Sequence, residues 1–229
     1  MTMNKVPTLL VGLGGIGGRI AEQTYRMLSD EDKEYIGVVA IDTNIEDLKK
    51  LGVKAIQTSD ERTVRKYLED HPQYLNWFPA NKYLLNRSIT TGAGQIRALS
   101  RMAMLASLEN GKFLPLEDEL NRILRHNGEV EDGKVNIILT GSITGGTGAG
   151  LFLQMPYYIR HLLRQQMAIE NVATRGVFLS SDLTVGVQPS KINKDAVMTN
   201  AYACIKELNA LYLSQEDSSV ADNIEFDFF

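Results

Sequence analysis

The sequence predicts an α/β fold with a Rossmann-like, doubly wound and mainly parallel sheet. Two apolar stretches, residues 6–11 and 135–140, each run directly into a glycine-rich turn. Each turn is followed by a segment that reads as a helix, residues 19–28 after the first and a segment starting at Leu151 after the second. The rest of the chain alternates strand-like and helix-like segments, which is typical of a parallel sheet with helices on both faces.

The first glycine cluster has the spacing of a phosphate-binding turn. Gly12, Gly14 and Gly17 satisfy G-x-G-x-x-G between the first strand and its helix. Glycines let backbone N–H groups approach an anion, and the start of a helix adds partial positive charge. The candidate ligand-binding residues of this turn are Gly14, Gly15, Gly17, Gly18 and Arg19.

The next strand, residues 36–41, ends at Asp42. Dinucleotide-binding proteins place the acid that binds the ribose at a similar distance from the glycine motif. A Rossmann protein that binds NAD(P) or FAD therefore stays open on these residues alone.

The second glycine cluster, residues 141–150, resembles a P-loop in spacing but not in chemistry. Gly141 and Gly146 are five residues apart, but Thr147 stands where that motif needs a lysine. A Walker-type NTPase is therefore disfavoured, and backbone dipoles, hydroxyls and a metal must neutralise a phosphate instead. The candidate residues here are Ser142, Thr144, Gly145, Gly146, Thr147 and Gly148.

Four loops together resemble those of the tubulin/FtsZ superfamily, in its order and at roughly its spacing. They are residues 12–18, 39–44 (VAIDTN), 91–97 (TGAGQIR) and 145–150 (GGTGAG). The chain is accordingly identified as a divergent bacterial tubulin-like protein, and the resemblance adds Asp42, Thr43, Asn44, Gly92, Ala93 and Gly94 as nucleotide-binding candidates. The chain departs from the family at four places. Thr144 stands where the glycine-rich signature loop of the family has its first glycine, and Ala149 stands where that loop has a hydroxyl residue. Arg19 replaces an asparagine, and Asp42 and Asn44 occur in the reverse of the family's order.

The resemblance implies a function that the residues alone do not. It implies binding of GTP and GDP, with Mg²⁺ held through the phosphates and no metal site made by the protein itself. It also implies self-association or membership of a larger assembly. Residues 1–229 are expected to form one nucleotide-binding domain that ends before the central helix and second domain of the family. Because the acidic catalytic loop of the family lies beyond that helix, we expect the isolated chain to hydrolyse GTP slowly or not at all. A scaffold that has lost its ligand is the third hypothesis, and the retained glycines argue against it.

Residues 175–180 are predicted to form a strand, and they are followed by a polar loop over residues 181–195 and a helix over residues 196–213. In the family this loop contacts the ribose, which makes Asp195 a candidate, although an acid at this place more often caps a helix. Asn200 is expected at the surface. Asn223 is a candidate for reading the base only if the last strand is shifted; otherwise that residue lies outside the chain.

Composition sets limits on partners and location. The formal net charge is −4, so the chain lacks the basic footprint of a dedicated nucleic-acid binder. No apolar run is long enough to span a membrane, and the single Cys204 cannot form an internal disulfide, so we expect a cytoplasmic protein. Cys204 lies in a helical apolar pattern and is expected in the core. The three histidines are too far apart to predict a zinc site.

Overall fold

A single parallel sheet organises the chain. The computed structural model describes residues 5–90, 92–125, 133–187, 190–216 and 224–228. The six strands of these ranges are β1 (Thr8–Leu13), β2 (Ile36–Asp42), β3 (Lys54–Gln57), β4 (Val135–Ser142), β5 (Val172–Leu179) and β6 (Ile224–Phe228). They lie in the order β3-β2-β1-β4-β5-β6, and all five neighbouring pairs are parallel. The predicted Rossmann-like parallel sheet is therefore confirmed.

The register of the central strands places the ends of β1, β2 and β4 at one edge of the sheet. Val11 on β1 lies opposite Val39 on β2 and Leu139 on β4. Since the strands run in the same direction, β1, β2 and β4 all end at the same side of the sheet. This is where the strand order reverses around β1, the place at which open α/β sheets bind ligands.

Helices connect the strands over both faces of the sheet. Those within the described ranges are α1 (Gly14–Arg26), α2 (Asp30–Tyr35), α3 (Ile45–Leu48), α4 (Val64–Asp70), α5 (Lys82–Leu85), α6 (Arg97–Glu109), α7 (Leu114–Leu124), α8 (Thr147–Leu151), α9 (Gln154–Met167), α10 (Ser181–Thr184) and α11 (Lys191–Glu216). Short 3-10 turns cover Pro72–Asn76 and Val185–Val187.

The alternation of side chains along β1 shows how the two faces are covered. Leu9 packs into the large cluster that holds side chains of α7, α9 and α11. The next residue, Leu10, packs on the opposite face with Ala21 of α1 and Val38 of β2. Successive residues of a strand point to opposite faces, so both faces of β1 are buried, as a doubly wound sheet requires.

Two boundaries differ from the sequence-based prediction. The prediction of a polar loop over residues 181–195 is wrong, because α10 and the first turn of α11 occupy part of it. Serine side chains begin both helices: Ser180 accepts a hydrogen bond from the backbone N–H of Asp182, and Ser190 accepts one from that of Asn193. Helix α1 likewise starts at Gly14, inside the glycine run rather than after it.

Candidate functional site

A cleft of about 470 Å³ opens at the edge where β1, β2 and β4 end. Four chain segments that are far apart in sequence meet there. The lining residues are Leu13, Gly14, Gly15, Ile16, Arg19, Asp42, Thr43, Asn44, Asp47, Gly92, Ala93, Gly94, Gln95, Ser142, Gly145, Gly146, Thr147 and Gly148. Fourteen of the eighteen residues proposed from the sequence are among them. The volume lies within the range of small-molecule sites.

The start of α1 forms the floor of this cleft. Gly14 has φ +75°, a left-handed conformation that favours glycine. Leu13 precedes the helix in an extended conformation, and no side chain caps the helix start. The first N–H groups of a helix have no partner within the helix. In α1 they are left for water or an anionic ligand, which the helix dipole favours.

A polar cluster joins the end of β2 to the start of α8. Asp42 is 4% exposed, and its Oδ1 accepts a hydrogen bond from the Thr147 hydroxyl at 2.7 Å and from the Asn44 backbone N–H at 3.2 Å. The Thr43 and Thr147 hydroxyl oxygens are 3.1 Å apart, and the Ala93 backbone N–H donates to Thr43 Oγ1 at 2.9 Å. These bonds hold three of the four loops together around one buried carboxyl group.

The environment of Asp42 opposes its charged form. Burial raises the pKa of this carboxyl, while the hydrogen bond from Thr147 acts in the opposite direction and the nearby Asp47 charge raises it further. All the side-chain hydrogen bonds that reach Asp42 end on Oδ1. The Asp42 carboxyl group is one of the groups that line the cleft.

The loop of residues 92–94 packs directly on the glycine-rich turn of residues 145–148. A Cβ built on Gly146 would lie 2.6 Å from the Cβ of Ala93, closer than real Cβ atoms approach. Gly92 and Gly94 have φ of +79° and +55°. Glycine is therefore needed at position 146, because a side chain there would collide with Ala93. At Gly92 and Gly94 glycine is favoured because the backbone is left-handed. The preceding Thr91 lies outside the described residues.

Asn200 on α11 fastens these two loops, and the prediction that it is exposed is wrong. It is 9% exposed, and its side-chain amide donates to the carbonyl oxygens of Gln95 at 3.0 Å, Thr144 at 3.1 Å and Gly145 at 3.2 Å. No sequence motif marks this role. Its only signal is a polar residue between Val197, Ala201 and Cys204, on the buried face of a helix.

Four proposed residues do not line the cleft, and each has another place in the fold. A Cβ on Gly17 would lie 2.2 Å from the Thr140 carbonyl oxygen, and one on Gly18 would lie 2.8 Å from Leu51 Cδ1. These two glycines let α1 pack closely on its neighbours. Thr144 is buried with its hydroxyl 2.6 Å from that of Ser142, and Asp195 is exposed within α11.

The sequence analysis missed four lining residues: Leu13, Ile16, Asp47 and Gln95. Asp47 accepts a hydrogen bond from the Asn44 side-chain amide at 2.9 Å. Gln95 has φ +62°, which is unusual for a residue with a side chain and was not detectable from the sequence.

The charged side chains that line the cleft give it no excess of positive charge. Arg19 is the only lysine or arginine among the residues described as lining it, and its Nε donates to the Gly15 carbonyl oxygen at 3.1 Å. Asp42 and Asp47 are the lining carboxylates. Backbone N–H groups and the single guanidinium are therefore the positive groups that the cleft offers an anion.

The structure tests the expectation for Cys204 but not the one for Asn223. Cys204 is buried as expected, with Sγ 3.5 Å from the Ala149 carbonyl oxygen. Asn223 lies outside the described residues.

Among the helices that the structure describes, none has the length and apolar character needed to cross a membrane.

Comparison with known proteins gives one family. The family described as "Tubulin like" matches residues 9–227. No curated protein matches the sequence.

Three solved structures of similar fold share little sequence with this chain. TubZ of Clostridium botulinum phage c-st is 15% identical with a TM-score of 0.50, over 97% of this chain and 52% of that one. FtsZ of M. jannaschii is 20% identical with a TM-score of 0.49, over 91% and 43%. CetZ2 from Haloferax volcanii is 15% identical with a TM-score of 0.45, over 95% and 61%. At these identities the likeness concerns the fold alone, and the chain spans about half the length of the structures it matches.

Proposed function

Since this chain belongs to the tubulin-like family, we propose that its cleft binds GTP and GDP as the nucleotide-binding domain of a tubulin-like GTPase. One observation carries the proposal: four glycine-containing or polar loops meet around an uncapped helix start in a single cleft. In this proposal the phosphates lie against the N–H groups at the start of α1 and against the turn of residues 145–148. The family assignment does not favour the alternative of an NAD(P)- or FAD-binding protein.

We further propose that the nucleotide binds as its magnesium complex. Mg²⁺ prefers oxygen ligands and is usually held by phosphates, waters and one or two carboxylates. The cleft fits that preference, because the Asp42 carboxyl group and the Thr43 and Thr147 hydroxyls are oxygen groups that line it. The metal would neutralise part of the phosphate charge, which the charged side chains that line the cleft do not neutralise. The role of the protein is to orient the phosphates through backbone N–H groups and hydroxyls.

Hydrolysis is proposed to need groups from elsewhere. Phosphoryl transfer depends on positioning and electrostatics more than on covalent chemistry by the protein. In the family the residues that position the attacking water come from an acidic loop of a neighbouring subunit. We therefore propose that this chain supplies the cradle, associates with further copies or a larger assembly, and turns over GTP slowly alone. Rapid GTP turnover by the dilute monomeric chain would contradict this part of the proposal.

Calorimetry with GDP, GTP, ATP and NAD, each with Mg²⁺, tests the nucleotide site. Gly146→Asp places a side chain where even a Cβ would lie 2.6 Å from Ala93. We expect GDP and GTP alone to bind, and Gly146→Asp to abolish binding. Gly186→Asp is the matched control, because no atom of the residues that the structure describes lies within 4 Å of a Cβ at Gly186. Binding of NAD alone, unaffected by Gly146→Asp, would restore the dinucleotide alternative, and absence of all binding would favour a scaffold that has lost its ligand.

Gly145→Ala separates a ligand effect from a folding effect. Within the described part of the chain, no atom lies within 4 Å of a Cβ built on Gly145, although the residue lines the cleft. The added methyl group therefore meets only the space in which we place a phosphate. We expect an unchanged Tm without nucleotide and a weaker affinity for GDP. An affinity equal to that of the unaltered chain would place the phosphates elsewhere.

A further inference from the structure

Asp47 places a carboxylate on the wall of the cleft, next to the start of α1. The residue belongs to α3 and lines the cleft. Its Cγ and Oδ2 each lie 3.2 Å from the position that a Cβ on Gly15 would take, and Gly15 is the second residue of α1. We have assigned the phosphates to the N–H groups of this same helix turn. Asp47 therefore holds a negative charge beside the place assigned to an anion.

Two neighbours hold the Asp47 side chain in this position. Its Oδ2 accepts a hydrogen bond from the Asn44 side-chain amide at 2.9 Å, and its Oδ1 accepts one from Lys50 Nζ at 3.1 Å. The side chain of Lys50 is 71% exposed. Because water and salt weaken an exposed ion pair, Lys50 offsets only part of the charge that Asp47 presents to the cleft.

The charge of Asp47 acts on other groups in the cleft. Burial is the main cause that raises the pKa of Asp42, and the charge of Asp47 raises it further. Among the described lining residues, Arg19 is the only lysine or arginine. An anion at the start of α1 is therefore attracted by one guanidinium group and by the helix dipole, and it is repelled by Asp47.

We propose that Asp47 makes nucleotide binding in this cleft depend on a divalent cation, because its charge repels the metal-free nucleotide and tolerates the magnesium complex. A metal-free phosphate chain brings its full negative charge to the wall that holds Asp47, whereas the magnesium complex brings a smaller one. Asp47 is thus a specificity-determining residue that selects the charge state of the ligand. The inference rests on the proposed function.

Coulomb's law sets the size of the effect. Two unit charges about 6 Å apart, at an effective dielectric constant of about 40, change a binding constant by roughly tenfold. This separation is that of an anion in contact with the helix turn that Asp47 touches. The dielectric constant lies between the values for a protein surface and for bulk water, in keeping with a side chain that is 35% exposed.

Calorimetry of GDP binding to the full chain, once with Mg²⁺ and once with excess EDTA at the same ionic strength, tests the proposal. Asp47→Asn removes the charge and keeps an oxygen that can accept the Asn44 amide. We expect this variant to bind metal-free GDP about tenfold more tightly and to change the affinity in Mg²⁺ by less than about threefold. The gain in affinity that Mg²⁺ provides should therefore shrink.

Glu46→Gln is the matched control. Glu46 also lies in the first turn of α3 and also pairs with the lysine three positions on, Lys49, at 2.8 Å. It is exposed and is not one of the described residues that line the cleft. The two substitutions remove the same charge from the same helix turn, so only the position relative to the cleft differs. We expect Glu46→Gln to leave both affinities within about twofold.

A second variant tests the same charge from the opposite side. Lys50→Gln leaves Asp47 in place without its ion pair, so metal-free GDP should bind about threefold more weakly and the dependence on Mg²⁺ should increase. Lys49→Gln is its control, since Lys49 pairs with Glu46 instead. If circular dichroism shows that Asp47→Asn does not fold, the two lysine variants decide the question.

Several results would overturn the proposal. They are an unchanged or lower metal-free affinity of Asp47→Asn, an equal gain with and without Mg²⁺, and an equal response to Glu46→Gln. A loss of affinity for Asp47→Asn in Mg²⁺ alone would make Asp47 a metal ligand instead. All of these leave the nucleotide site in place. If the unaltered chain bound GDP under neither condition, the proposed function would fail, and the role of Asp47 would fail with it.

Discussion

Replacement of Asn200 by leucine tests the claim that α11 holds the two phosphate loops in place. The variant keeps the number and branching of the side-chain heavy atoms and removes the amide that donates to the carbonyl oxygens of Gln95, Thr144 and Gly145. The hydrogen bond to the Thr144 carbonyl is buried, so losing it leaves an unsatisfied acceptor at a cost of about 1–3 kcal/mol. The other two carbonyls are partly buried and can recruit water, so each loss costs about 0.5–1 kcal/mol. The three losses add to roughly 2–5 kcal/mol.

Urea unfolding followed by circular dichroism measures this cost as a lower midpoint at constant slope. For a chain of 229 residues the same change lowers Tm by roughly 4–20 °C. Thr199→Ala is the control, because Thr199 is the exposed neighbour on the same helix, and surface changes are usually within about 0.5 kcal/mol. If Asn200→Leu were as stable as Thr199→Ala, the three hydrogen bonds would not fasten the loops. If it were destabilised but bound GDP with full affinity, the loops would hold their positions without Asn200.

Three further predictions follow from the contacts around the cleft. Gly17→Ala should destabilise the fold by more than about 3 kcal/mol, because its Cβ would lie 2.2 Å from the Thr140 carbonyl oxygen; a loss of Tm no larger than that of Gly186→Ala would contradict this. Burial raises the pKa of Asp42, so the folded state is more stable when this carboxyl group is protonated. The stabilisation is complete at low pH and is lost as the pH rises through the pKa of the folded state. Asp42→Asn should therefore raise the Tm at pH 7, with a gain that vanishes below about pH 4; a gain that persists in acid would exclude the carboxylate charge as its cause. Burial raises the pKa of Cys204 to about 12, so thiol reagents should modify it only in denaturant, and rapid labelling of the native chain would show that α11 opens.

Some features of the cleft follow from local sequence. A glycine run between a strand and a helix predicts close backbone approach, and Gly14 and Gly146 take that role in the structure. Asp42 was predictable because it follows a strand, and parallel strands end at one edge of the sheet. Sequence patterns succeed here because the determining interactions lie within a few residues.

Other features were decided only when distant segments came together. Gly17 and Gly18 belong to the same motif as Gly14, but they pack α1 on the sheet and on Leu51, which no local pattern distinguishes. Asn200 contacts residues 55–105 positions away in the chain. A polar residue on an apolar helix face is ambiguous until the partners of that face are known.

The sequence by itself determined the alternation of strand-like and helix-like segments, the glycine turns and the family resemblance, because each depends on short-range spacing. Only the tertiary structure decided which glycines face the cleft, which carboxyl is buried beside it, and that Asn200 joins two of its loops. These features depend on contacts between segments that are far apart in the chain.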